Sequence, residues 1–138
     1  MLGKTGEGLL RITIAALCMV AVATTALAQA TMPTISRTVL NRADVPGSNY
    51  EAITARVEIP AGFKPGRHFH NGLVQVTVLE GSFWLALDGQ PERTLAAGES
   101  VSVPLNAIHN EGAAGDAPVK LLATFIVEKG KPLAEMVK

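Results

Sequence analysis

The chain has 138 residues, the usual size of one domain and too short for two ordinary ones. Apolar residues make up 48% and charged residues 17%, enough for a packed core and too little charge for a disordered chain. Lys plus Arg equals Asp plus Glu at 12 each, so the charge balance offers no basic surface for nucleic acid or for an anionic membrane.

The N-terminus has the form of an export signal. Lys4 and Arg11 give a weakly basic start, and the apolar run from Ile12 to Ala28 follows. Ala26-Leu27-Ala28 supplies the small-x-small pattern of a signal-peptidase site, which predicts a signal peptide over 1–28 and a mature domain over 29–138 beginning at Gln29. The run is 17 residues long, short of the roughly 20 that span a bilayer, so cleavage is expected rather than an uncleaved anchor. Cys18 is the only cysteine and falls inside the leader, and Leu17 stands where a lipoprotein site needs a small residue. The mature chain then has neither a disulfide nor a thiol nucleophile. The expected compartment is periplasmic or secreted, with no membrane association after cleavage.

Beyond about Ile35 the chain reads as short strands divided by turn residues. In Glu51 to Pro60, Ile53, Ala55, Val57 and Ile59 alternate with Thr54, Arg56 and Glu58, the period of a half-buried strand. Breaks follow at Pro60-Ala61-Gly62 and Lys64-Pro65-Gly66. Leu73 to Leu79 reads as a strand ended by Gly81, and Phe83, Leu85 and Leu87 alternate toward the Asp88-Gly89 hairpin, with the return through Arg93 to Leu95. Val101 to Val103 is a short strand stopped by Pro104, and Val119 to Val127 is a last strand apolar on both faces. No mature stretch of useful length has helical periodicity. The expectation is an all-β sandwich or barrel.

The three histidines sharpen this. His68 and His70 are two apart, so on a strand both rings point to one face, where two imidazoles can converge on one ion. His109 follows a strand and a proline turn, placed to add a third from a neighbouring strand.

These residues carry a resemblance to the cupin superfamily, in particular to small single-domain exported cupins. Its first motif, G-x5-H-x-H-x3 or 4-E-x6-G, is matched by Gly62-x5-His68-x-His70-x3-Val74-x6-Gly81. Its second, G-x5-P-x-G-x2-H-x3-N, is matched by Gly98-x5-Pro104-x-Asn106-x2-His109-x3-Ala113. The resemblance covers nearly all of the mature chain and implies a jelly-roll β-barrel, a divalent metal on His68, His70 and His109, a small molecule in the barrel pocket and a homodimer.

The departures matter. The family's fourth ligand, a glutamate, is Val74 here. A bulge at Asn71-Gly72 would turn Gln75 inward as a fourth ligand; without one, Gln75 is a polar residue on the opposite face, which is the expectation. Asn106 replaces a glycine, and Asn is the next best residue for a left-handed turn. Three neutral imidazoles without a carboxylate suit Fe, Zn, Cu or Ni better than Mn. Three-histidine iron sites among cupins resemble those of thiol and diketone-cleaving dioxygenases, which implies an oxygenase acting on a small molecule; a non-catalytic metal- or ligand-binding module is the alternative. Glu111 is the one nearby candidate for a catalytic proton-transfer group, with a solvated carboxylate entering a turn at Gly112 as the expected reading. Trp84 and Phe69 fall on the parity facing away from the pocket, where a subunit contact or a second packed layer would take them.

Overall fold

The computed structural model describes residues 34–138; the proposed leader, its cleavage site and Cys18 lie outside them. Ten strands follow in chain order: β1 (Ser36–Asp44), β2 (Tyr50–Ile59), β3 (His68–Phe69), β4 (Gly72–Glu80), β5 (Ser82–Leu87), β6 (Arg93–Ala96), β7 (Ser100–Val103), β8 (His109–Ala113), β9 (Val119–Glu128) and β10 (Glu135–Met136). There is no helix among the described residues. One antiparallel sheet has the order β1-β2-β9-β4-β7 and the other β10-β3-β8-β5-β6. The order and pairing are those of a jelly roll, two sheets enclosing one core.

Alternation explains most of the architecture. Ile53, Ala55, Val57 and Ile59 on β2, Val74, Val76 and Val78 on β4 and Val119, Leu121, Ala123, Phe125 and Val127 on β9 all turn into the core. Phe83 and Leu85 on β5 meet them from the other sheet. Strand β9 is central, paired with β2 on one side and β4 on the other, and its outer face of Leu122, Thr124 and Ile126 is half-buried.

Asn106 adopts φ 57°, the left-handed turn that the substitution of Asn for Gly anticipates. Gly112 is unexpected. It lies within β8 rather than in a turn, opposite Trp84 of β5, and a Cβ there would stand 2.6 Å from the indole Nε1. Trp84 therefore packs over a glycine on the outer face, with the Lys64 ammonium 5.9 Å above its ring.

Two elements had no clear pattern in the sequence. Strand β1 is exposed at every position, and its register slips between Val39 and Asn41, which moves the residues beyond Leu40 to the opposite parity. Strand β10 is two residues long and closes the C-terminal tail against β3.

Candidate metal centre

The second sheet brings the histidines together through register. His68 on β3 pairs directly with His109 on β8, and His70 follows just past the end of β3 with its ring still inward. All three are buried, at 4%, 4% and 0% exposure for His68, His70 and His109. Their ring centroids lie 4.2 to 5.2 Å apart, and one ligating nitrogen from each lies within 4.8 Å of the others.

Each ring is oriented from behind by the backbone. The Nδ1 of His68 meets the Gly66 carbonyl at 2.8 Å, that of His109 meets the Ala107 carbonyl at 2.8 Å, and that of His70 meets the Leu133 carbonyl at 2.5 Å. A carbonyl only accepts, so each Nδ1 is the donor and each Nε2 carries a lone pair. The Leu133 carbonyl comes from the C-terminal tail, which Asn71 pins by donating to Pro132 O and to Glu135 Oε1 at 2.6 Å. Burial drives the imidazoles of His70 and His109 down to about 4, against the backbone hydrogen bonds that favour their charged forms. The free nitrogens of His70 and His109 are therefore neutral acceptors. His109 Nε2 is fully buried without any hydrogen-bond partner, which a cation would satisfy. The residues fit a metal.

Glu111 corrects one expectation. It is not a solvated carboxylate: its side chain is only 15% exposed and points at the histidines, with Oε1 3.9 Å from His68 Nε2 and Oε2 3.9 Å from His109 Nε2. The turn expected at Gly112 does not form, because β8 continues to Ala113 and pairs Glu111 with the core residue Leu85. Burial pushes the Glu111 carboxyl above its usual range, with His68 and Arg37 opposing.

Val74 and Gln75 fall on opposite faces of β4. Val74 is 2% exposed and lines the pocket, on the sheet across from His68 rather than on the same strand. Gln75 is exposed, and β4 pairs with β9 without a slip from Gly72 to Val78, so no bulge brings it inward. Gln75 is no fourth ligand in this register. A carboxyl group does stand beside the histidines, supplied by β8 instead of β4, while the donor set itself is the three imidazoles.

In front of the cluster is a cavity of about 100 Å3, walled by Val57, Val74, Val76, Leu121 and Phe125. Arg37 of β1, not singled out in the sequence, lines the same cavity with its guanidinium 5.4 Å from the Phe125 ring centroid.

Residues 55–125 match the family model of the cupin domain, just over half of the chain. Among solved structures, a cupin-like protein of Thermotoga maritima is 23% identical, with 77% of each chain covered and a TM-score of 0.62. A cupin superfamily protein of Desulfitobacterium hafniense is 16% identical over 72% of this chain and 84% of that one, at a TM-score of 0.57. The DMSP lyase DddQ of Ruegeria pomeroyi is 21% identical over 75% of this chain and 51% of that one, at a TM-score of 0.62. At these identities the likeness is one of fold. No curated protein sequence matches the chain.

Proposed function

We propose that this chain, which belongs to the cupin family, holds one divalent transition-metal ion on His68, His70 and His109 and acts as an oxygenase on a small molecule bound in the adjoining cavity. The observation that carries the reading is the common orientation of the three rings: each Nδ1 is committed to a backbone carbonyl, and the free nitrogens converge in a buried space. A bound ion of this kind supplies Lewis acidity and, if iron or copper, one-electron chemistry with oxygen.

The protein's own part is orientation, exclusion of water and a proton. The valine, leucine and phenylalanine wall keeps the reacting end of a substrate out of bulk solvent. Glu111 is the carboxyl group nearest the free imidazole nitrogens, placed to take a proton from a pocket-bound molecule or to return one. Its presence favours an enzyme over a non-catalytic binding module, because binding alone needs no proton-transfer group. Its charge also offsets one unit of the ion's, so Mn joins Fe, Cu, Ni and Zn as an ion the site can hold, with Zn alone unable to serve the oxygenase reading because it has no redox chemistry. That an enzyme, the DMSP lyase, shares the fold supports catalysis in general and no particular substrate. The basic start, apolar run and Ala26-Leu27-Ala28 support export, with the mature chain beginning at Gln29.

Elemental analysis of the protein purified from its native compartment tests the reading. One equivalent of a transition metal is expected, lost in His68→Ala and retained in Glu111→Gln. Absence of stoichiometric metal from the parent would remove the proposal, and metal lost with Glu111→Gln would make that residue a ligand instead of a proton carrier.

A further inference from the structure

We infer that Arg37 is a carboxylate-binding residue at the mouth of the cavity, and that the substrate is a small organic acid. This deepens the reading just given and rests on it for the identity of the site.

Strand β1 is the edge of its sheet, yet its register makes Arg37 an inward residue. Arg37 stands opposite Val57, whose buried side chain is part of the cavity wall, and directly opposed residues of an antiparallel pair share a face. The guanidinium lies over Phe125, and Phe125 in turn meets His70 edge-on at 5.5 Å between centroids. One aromatic ring therefore separates the cation from the histidine cluster.

Among the described residues Arg37 is also without an acidic partner. The Arg and Lys ion pairs of the described residues join Arg42 to Glu51, Arg67 to Asp88, Lys120 to Glu80 and Lys129 to Asp44, and among those residues no carboxylate lies within ion-pairing distance of Arg37. Its residue is exposed on the solvent side, so an incoming anion reaches it without rearrangement. A planar guanidinium steadied on an aromatic face presents a fork that matches a carboxylate with two parallel hydrogen bonds. The lining between this fork and the histidines is aliphatic and aromatic, and about 100 Å3 holds a body of roughly benzene's size or somewhat less. Those constraints describe a short acid, its carboxylate on Arg37, its apolar carbons on Val57, Leu121 and Phe125, and its far end at the histidines.

The probes are butanoate and its neutral isostere butanamide, titrated by NMR or calorimetry into the protein as purified. Butanoate should bind about tenfold more tightly, the order expected of one charge-assisted bidentate contact. Arg37→Gln should erase the preference and Arg37→Lys should restore part of it, with the unfolding midpoint unchanged because the position is exposed. The same titrations in His109→Ala separate the two readings. Arg37-dependent preference for butanoate surviving there supports the acid site whatever the metal content proves to be. Equal binding of the two probes, no saturable binding of butanoate, or a preference that persists in Arg37→Gln overturns the inference, the last by placing the anion on the histidine side.

Discussion

The two sheets that enclose the cavity divide its work. The sheet β1-β2-β9-β4-β7 is built mostly of long strands, with β2 and β9 of ten residues in continuous register, and it gives the cavity an aliphatic and aromatic wall. The sheet β10-β3-β8-β5-β6 is built of short pieces, and β3 and β10 have two residues each. It carries all three histidines and Glu111. Its ladders are too short to fix side chains by themselves, so each imidazole is held by a carbonyl from a loop or from the tail. Precision in the chemical half comes from individual hydrogen bonds, and precision in the apolar half comes from packing.

That contrast predicts where stability and binding part company. The largest expected effect on stability is from Phe125→Ala, which empties a ring-sized volume in the long-stranded wall and should cost about 3–5 kcal/mol. His109→Ala, equally buried, should cost the metal-free protein only about 1–2 kcal/mol, because it removes an unpartnered nitrogen along with one hydrogen bond. Denaturant unfolding of both metal-free variants measures the difference. A larger loss in His109→Ala than in Phe125→Ala would mean that the short-stranded sheet holds the fold.

A smaller effect is expected from moving the carboxylate between the sheets. Val74→Glu puts a second acidic group on the wall facing Glu111 and the histidines. It should tighten Mn binding by about tenfold in the parent background, since Mn gains most from oxygen donors. The metal-free variant should lose about 1–3 kcal/mol, the cost of an unpaired carboxylate in an apolar wall. Gln75→Ala, on the outer face of the same strand, should change neither property by more than about 0.5 kcal/mol. Titration with Mn and unfolding curves check both; metal binding weakened by Gln75→Ala would show that the register of β4 differs in solution.

The legible parts of the sequence were those governed by parity. Alternation in residues 51–59, 73–79, 83–87 and 119–127 marked strands that the fold contains, and the spacing of His68, His70 and His109 marked the cluster. Parity also placed Val74 inward and Gln75 outward, although Val74 proves to face the histidines across the cavity. What parity could not show depends on which strand lies beside which. Arg37 points inward only because β1 pairs with β2 opposite Val57, and the slip at Leu40 scrambles the alternation that would have identified β1. Glu111 was assigned the right face but the wrong environment, because Gly112 suggested a turn. A glycine required by a cross-strand tryptophan reads, in sequence, just like a glycine required by a bend. The Leu133 carbonyl behind His70 leaves no side-chain signature at all.

Acid unfolding separates the titratable groups of the short-stranded sheet from one another. In the metal-free protein the imidazoles of His70 and His109 are held near 4, below the ordinary value of 6.5, so the unfolded chain binds protons that the fold excludes. Their contribution to stability is complete above about 6.5 and is lost as pH falls toward 4. Glu111 acts with the opposite sign. Its raised carboxyl takes up a proton in the folded state before it would in the unfolded one, which favours the fold as pH falls. The two oppose each other in the parent, whose urea midpoint should decline between pH 7 and 4 as the histidine contribution is lost. Glu111→Gln removes the opposing group and should steepen the decline; His70→Ala removes one of the two imidazoles and should flatten it. Comparing variants cancels the carboxylates elsewhere that titrate in the same range. An unchanged slope in Glu111→Gln would place that carboxylate in solvent, away from the histidines, and would leave the pocket without its proton carrier.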